Sequence, residues 1–131
     1  MIRMILLSVF FLGPMSLQTD MMEKHIVRKH NNGSPYVVMY TFGEEHVRVK
    51  EELYYPNGQL DYVGHYKNGV EHGEWIYYYE NGNLKSYENY LRGMEEGIHY
   101  DLDEEGNRIK EVHYRKGVVL REIDFSADPK N

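Results

Sequence analysis

Carboxylate side chains in the last third of the chain have a spacing that could bind a cation. From Asp101 to Gly106 acidic residues stand at alternate positions and a glycine ends the run, as at the start of an EF-hand calcium loop. Position twelve of such a loop needs a bidentate carboxylate, but Val112 occupies it and Glu111 lies one residue short. The segment is also the third copy of a repeated turn, which explains its glycine without calcium. We therefore predict no calcium site here.

Histidine and serine side chains give no complete metal or catalytic set either. The histidines are spread along the chain without a His-x-x-x-His pair, and there is no cysteine for a thiolate site or a disulfide. A catalytic nucleophile needs an adjacent base and a group that orients it, and no serine stands in such a context. The sequence predicts no metal, no cofactor and no enzyme activity. The side chains considered are His25, His30, His46, His65, His72, His99 and His113, with Ser8, Ser16, Ser34, Ser86 and Ser126.

Glycines recur at a fixed step of 24 residues, and this repeat organises the chain. We call each series of glycines at this step a ladder. In the first ladder every glycine follows Asn or Glu, and in the second every glycine lies three residues after a tyrosine. A third is shorter and ends where Arg121 takes its slot. Such phase over three copies is the signature of a repeat architecture. The ladders are Gly58, Gly82 and Gly106; Gly69, Gly93 and Gly117, preceded by Tyr66, Tyr90 and Tyr114; and Gly73 and Gly97.

The ladders predict turns at both ends of a set of strands. Asn57-Gly58 and Asn81-Gly82 are strong hairpin signals, and we predict type I′ turns there, because both central residues of that turn have positive φ. Glu105-Gly106 is a weaker signal for the same turn. The second glycine ladder supplies the opposite turn, so each 24-residue unit holds two antiparallel strands.

The pattern predicts an all-β protein, an elongated antiparallel β-meander of 24-residue, two-strand repeats. Thirteen tyrosines, four phenylalanines and one tryptophan favour strands, because aromatic rings fit a pleated surface and pair across it. We expect the tyrosines to form the core and its rim. The expected strands cover roughly 49–55, 73–79, 97–103 and 120–125, and roughly 59–67, 83–91 and 107–115.

Four segments follow from this register. Residues 21–48 hold degenerate N-terminal strands, one from Pro35 to Phe42 and another from His25 to His30. They deviate from the repeat because a terminal unit has to cap an open sheet edge. Residues 49–125 hold the repeats, and 126–131 form a C-terminal tail.

The first twenty residues (1–20) have a different character. Arg3 precedes an apolar run from Met4 to Leu12, and a Gly-Pro pair ends any helix. This predicts a signal-like N-terminal helix, and with it export to the periplasm or the cell exterior. Two alternatives stay open. The segment is an uncleaved anchor, or translation starts at Met21 or Met22 and the protein is cytoplasmic.

The charge pattern argues against nucleic acid as a partner. The formal net charge is −6 and the charges of both signs are interspersed. Binding to phosphates needs Lys and Arg gathered on one face, and the sequence shows no such basic stripe.

The repeat resembles the variant MORN repeat (membrane occupation and recognition nexus) of bacterial proteins. The first copy carries its pattern from Tyr54 to Leu60 and then at Tyr66, Gly69, Gly73 and Trp75. The second copy has it from Tyr78 to Leu84 and at Tyr90, Gly93 and Gly97, and the third departs from it at Leu102-Asp103, Arg108 and Arg121.

This resemblance implies a scaffold. Bacterial proteins of this kind are often labelled antitoxin-like components of toxin–antitoxin systems, and eukaryotic relatives act as scaffolds with a proposed role at membranes. For this chain we expect membrane contact only through an uncleaved N-terminal segment.

The first functional hypothesis is a non-catalytic repeat scaffold that binds a protein partner, whose identity the sequence does not give. The candidate interaction surface consists of Tyr62, His65, Tyr87 and His113. His65 and His113 each precede a ladder tyrosine, so they are expected on one face, about 19 Å apart and too far to share a metal. The open sheet edges also allow self-association.

The alternative hypothesis is an exported carbohydrate or cell-wall binding module that uses exposed tyrosines. It requires regularly spaced rings on one face. Tyr62 and Tyr87 are candidates, although they do not share a repeat slot, since Tyr62 corresponds to Ser86.

Overall fold

The computed structural model of the protein describes residues 22–126, and these residues form one antiparallel sheet. Its strands are β1 (Met22–Lys29), β2 (Pro35–Phe42), β3 (Val47–Tyr54), β4 (Leu60–Lys67), β5 (Val70–Tyr78), β6 (Leu84–Leu91), β7 (Met94–Glu95), β8 (Gly97–Leu102), β9 (Arg108–Arg115) and β10 (Val118–Asp124). Successive strands are neighbours in the sheet, and the short β7 pairs with β6 beside β8. The described chain is thus a meander with β1 and β10 at its edges.

The predicted all-β meander is confirmed over the described residues. The strand expected from Pro35 to Phe42 is β2, and the one expected around His25 to His30 is β1. The signal-like helix predicted for residues 1–20 lies outside the described residues, as does the tail beyond Ser126. From residue 22 to residue 126, no helix is long and apolar enough to cross a membrane.

The second glycine ladder forms two-residue hairpin turns. At Asn68-Gly69 both residues have positive φ, 53° and 80°, and Lys67 pairs directly with Val70 across the turn. Arg92-Gly93 and Lys116-Gly117 have the same conformation. These are type I′ turns, whose twist matches that of the strands they join.

The first glycine ladder forms a different turn, so the type I′ prediction at Asn57-Gly58 and Asn81-Gly82 is wrong. Only the glycines have positive φ, 87° and 89°. The backbone N–H of Gly58 donates to the Tyr55 carbonyl (2.9 Å), and Tyr55 N–H donates to the Gln59 carbonyl (2.9 Å). This is a type I turn closed by a glycine bulge. The Asn57 carboxamide accepts a hydrogen bond from Gln59 N–H at 2.9 Å, which holds Asn57 in the negative-φ conformation.

The third glycine ladder marks a bulge inside the sheet. Between β4 and β5 the register passes from Gly64–Trp75 to Tyr66–Glu71, so β5 carries extra residues around Gly73, whose φ is 87°. Gly97 has a φ of 79° at the same step, where β7 and β8 are separate. Arg121 fills the slot in β10, where the irregularity is smaller. A positive φ, and hence a glycine, is needed only in the two central copies.

The interior of the sheet is thin. A single layer of strands accounts for residues 22–126, and few side chains are fully covered. The tyrosines therefore shield the sheet on both faces as amphipathic rings. The buried side chains are Val38, Thr41, Trp75, His99 and Val112.

Hydrogen bonds at the glycine-bulge end connect successive repeats. The Tyr55 hydroxyl donates to the Tyr78 carbonyl (2.9 Å) and the Tyr79 hydroxyl to the Leu102 carbonyl (2.7 Å), and His30 Nε2 bonds to the Tyr54 carbonyl (2.7 Å). The acceptors are 24 residues apart. We call this series the turn ladder. Asparagine carboxamides form a second series of hydrogen bonds beside it. They donate to backbone carbonyls that are also 24 residues apart, from Asn32 to Pro56, from Asn57 to Glu80 and from Asn83 to Glu104.

Candidate interaction surface

The strand register divides the predicted surface residues between two faces. Tyr62 pairs with Tyr77, whereas the adjacent Ile76 pairs with Tyr87, so Tyr62 and Tyr87 lie on opposite faces. We call the face with Tyr62 and Trp75 the tryptophan face. The opposite one, which carries His65, Tyr87 and His113, is the histidine face.

Aromatic rings on the tryptophan face pack against one another. Trp75 is 8% exposed; it stacks on Tyr62 with ring centroids 5.7 Å apart and meets Tyr66 and Tyr90 edge-on at 5.2 and 5.9 Å. Further along, the ring of His99 lies 5.8 Å from Tyr90. These contacts make a continuous aromatic row that covers the centre of the sheet.

Carboxylates on the tryptophan face accept hydrogen bonds from the tyrosine hydroxyls. Tyr62 donates to Glu51, and Tyr90 donates to Glu88 at 2.9 Å. Burial raises the pKa of the Tyr62 and Tyr90 phenols, and the bonded carboxylates raise it further. These hydroxyls therefore stay protonated donors, and their hydrogen-bonding capacity is used within the fold.

The histidine face has a shallow depression with polar and apolar walls. Tyr87 and Tyr100 stack with centroids 5.3 Å apart and an interplanar angle of 15°, and the Arg108 guanidinium lies 4.3 Å from the Tyr100 centroid. Beside them Ile98 is 46% exposed. The depression measures about 500 Å³ and also contacts Asn89.

The two candidate histidines of this face are held by hydrogen bonds to neighbouring strands or residues. His65 Nδ1 bonds to the Glu74 carbonyl at 2.9 Å. His113 Nε2 lies 2.6 Å from Glu111, which Arg108 also contacts. Hydrogen bonds from His113 and Arg108 lower the pKa of the Glu111 carboxyl. His65, Tyr87 and His113 thus share one face, but the structure does not join them with Tyr62 in a single surface.

The acidic segment considered for calcium forms a turn. The Asp103 carboxylate accepts hydrogen bonds from the Asn107 side chain (2.9 Å) and backbone N–H (2.7 Å), which lower its pKa. Gly106 N–H donates to the Asp103 carbonyl at 3.1 Å. The segment is thus the third copy of the bulged turn.

One group of potential metal ligands is assembled only by the fold. The histidines appear scattered in the sequence, but the fold brings His25 and His46 together with Glu23, with one ligating atom of each within 4.8 Å of the others. The first hairpin of the sheet causes this, because it folds the β2–β3 turn back over β1.

His99 is a structural residue that the sequence analysis missed. Its Nε2 lies 2.9 Å from the Asn89 carbonyl, and 24 residues earlier the Trp75 indole N–H donates to the His65 carbonyl at 3.1 Å. His99 therefore takes the tryptophan slot of the next repeat and is buried there. The 24-residue step from Trp75 is the sequence signal that places His99 in this slot.

Comparison with known families identifies the repeat in the centre of the chain. Residues 49–68 and 71–91 match the MORN repeat variant. The two MORN matches cover the β3–β4 and β5–β6 hairpins and end before the third copy, which departs from the pattern. No curated protein and no solved structure matches the chain.

Proposed function

We propose that this protein is a non-catalytic repeat scaffold and that it binds a protein partner through the depression on the histidine face. The observation that carries the proposal is an apolar side chain exposed among aromatic and cationic ones. Both faces carry stacked rings and hydroxyls bonded to carboxylates, as in Tyr62 to Glu51 and Tyr87 to Glu74. On the histidine face, Ile98 is half-exposed beside Tyr87, Tyr100 and Arg108.

The composition of this depression favours a protein over a sugar. Tyrosine and arginine are enriched in the centres of protein interfaces, where they bury large areas around an apolar anchor. The faces of Tyr87 and Tyr100 are partly occupied by each other, and Arg108 lies against Tyr100. A sugar would need open ring faces to stack on.

The cellular setting of the proposal follows from the N-terminal sequence and the MORN resemblance. The apolar run before residue 21 favours export, and the partner is then a protein of the cell envelope or exterior. An antitoxin-like role is the more specific form of the same proposal, in which the partner is a toxin. Fractionation with an antibody against the chain tests export, and recovery from the cytosol with an intact N-terminus would exclude it.

The experiment for the face compares two matched aspartate variants of the full chain. Ile98→Asp places a charge in the depression, whereas Leu120→Asp places one on edge strand β10, where Leu120 is 64% exposed. A partner is first captured from the native cells and then measured with purified components. We expect Ile98→Asp to weaken binding at least about tenfold and Leu120→Asp to leave it unchanged.

The opposite result would exclude the histidine face as the binding surface. Loss of binding with Leu120→Asp alone would show that the partner, or a second copy, adds to the sheet edge. Retention of a glycan with no protein partner would replace the proposal with the carbohydrate-binding alternative.

A further inference from the structure

Three potential metal ligands converge at the corner where the described chain begins. Glu23 Oε2 lies 3.3 Å from His46 Nδ1 and 3.7 Å from His25 Nε2. In a tetrahedral site with zinc–ligand bonds of about 2.1 Å, neighbouring ligand atoms are about 3.4 Å apart. The two distances from Glu23 Oε2 to the imidazole nitrogens are therefore already close to the ligand–ligand distance of a tetrahedral zinc site.

Two separate elements position these side chains. Glu23 and His25 are two residues apart on β1, so both point to the same side of the strand. His46 lies in the β2–β3 turn with a φ of 49°, and its N–H donates to the Gly43 carbonyl at 3.1 Å. This left-handed conformation, uncommon for a residue other than glycine, sets the direction of the His46 side chain over β1.

The side chains are accessible and can adjust to an ion. Glu23 and His46 are 53% and 61% exposed, and the imidazole rings of His25 and His46 meet edge-on with centroids 6.3 Å apart. Small rotations of these exposed groups bring the two imidazole nitrogens closer. His25 Nε2 now bonds to the Thr41 hydroxyl at 2.9 Å and would exchange that contact for the metal.

From this geometry we infer that Glu23, His25 and His46 form a binding site for a divalent transition-metal ion of the zinc class. Two imidazoles and one carboxylate suit Zn²⁺ and its neighbours better than Mg²⁺ or Ca²⁺, which prefer oxygen ligands. Three protein ligands leave a fourth position for water.

The site would clamp the edge strand. Among the described residues β1 is paired along one side only, with β2, and an ion would tie it also to the turn that follows β2. Binding to the folded state alone raises stability in proportion to the logarithm of metal concentration above the dissociation constant.

The test is a titration of the full chain, without an affinity tag, with ZnCl₂, followed by calorimetry. Co²⁺ serves as a second probe because its visible absorption reports the coordination geometry. His46→Asn removes the imidazole but keeps a residue that tolerates positive φ. Glu23→Gln removes the carboxylate, and Glu45→Gln removes a neighbouring turn charge outside the site.

We expect one equivalent of Zn²⁺ to bind and to raise the unfolding temperature, while the same concentration of Mg²⁺ does not. His46→Asn and Glu23→Gln should each weaken Zn²⁺ binding by about tenfold or more, with Glu45→Gln close to the original chain. Absence of Zn²⁺ binding, or equal affinities in all four proteins, would overturn the site. A circular dichroism spectrum unchanged by His46→Asn separates loss of the ligand from loss of the fold.

Discussion

The indole of Trp75 lies directly over the backbone of Gly64 on the neighbouring strand. A Cβ atom added to Gly64 would be 2.7 Å from two atoms of the indole ring, a separation that real contacts do not reach. Gly64 differs from the ladder glycines because its φ is not positive. Glycine is present there to make room for the ring.

Gly64→Ala should therefore destabilise the sheet by overpacking, by about 1–3 kcal/mol. Urea unfolding followed by tryptophan fluorescence measures the change. In a Trp75→Leu background the same substitution should cost less, because the smaller side chain leaves space for the methyl group. Equal costs in the two backgrounds, measured by circular dichroism, would show that the contact does not limit this position.

Replacement of Gly82 should cost more stability with valine than with asparagine. Its φ is 89° and a Cβ atom there would meet only the end of the Gln59 side chain, 3.5 Å away, so backbone conformation is the main constraint. Gly82→Val should cost about 1–3 kcal/mol and Gly82→Asn clearly less. Equal unfolding midpoints for the two variants would contradict the positive-φ turn.

The turn ladder can be tested by removing one hydroxyl. Tyr79→Phe deletes the 2.7 Å hydrogen bond to the Leu102 carbonyl and should lower the free energy of unfolding by about 0.5–1.5 kcal/mol. Tyr100→Phe is the matched control, since its ring stacks on Tyr87 and its hydroxyl donates no hydrogen bond within residues 22–126. Comparable losses in both variants would mean that the inter-repeat bond contributes nothing specific.

Protonation of the Glu52 carboxylate should lower the stability of the fold at acidic pH. Its carboxylate accepts hydrogen bonds from Tyr40 (2.7 Å), Tyr54 (2.6 Å) and Lys50 (2.9 Å). Burial alone would raise the pKa of Glu52, but these three bonds together lower it. Burial and the same carboxylate raise the pKa of Tyr40 to about 12.

Since the folded-state pKa of Glu52 is the lower one, its contribution is present above the unfolded pKa of about 4.3 and is lost as the pH falls through the folded value. Glu52→Gln should lower stability at neutral pH and flatten its decline below about pH 4.3. Unfolding free energies measured at a series of pH values test this, with exposed Glu44→Gln as control. A Glu52→Gln profile parallel to that of the original chain would refute it.

The strands and their order could be predicted because the repeat fixes them locally. The expected strand over 107–115 is Arg108–Arg115 and that over 83–91 is Leu84–Leu91. In each case an aromatic, alternating run lies between two glycine turns, and a 24-residue step leaves room only for neighbouring antiparallel strands. The glycines of the first two ladders lie in turns for the same reason, whereas Gly73 and Gly97, which were also predicted as turns, mark bulges inside the sheet.

The facing of side chains could be predicted where residues share a repeat slot, as His65 and His113 do. Tyr62 and Tyr87 fall in adjacent slots, so alternation along the strand places them on opposite faces. The extra residues around Gly73 interrupt simple alternation in β5. The type I′ prediction at Asn57-Gly58 failed because the same dipeptide also fits a bulged type I turn, which the Asn57 side chain stabilises. The approach of His46 to Glu23 depends on how a hairpin folds back, which no local pattern records.

The turn ladder also gives the molecule a direction. Each donor reaches a carbonyl belonging to the following copy, from Tyr55 to Tyr78 and from Tyr79 to Leu102, and Asp103, at the next donor step, has no hydroxyl. An internal duplication of 24 residues would keep every donor opposite its acceptor, whereas an insertion of another length would shift them apart. A further copy inserted between the existing ones would therefore have to be a whole 24-residue unit to keep these hydrogen bonds.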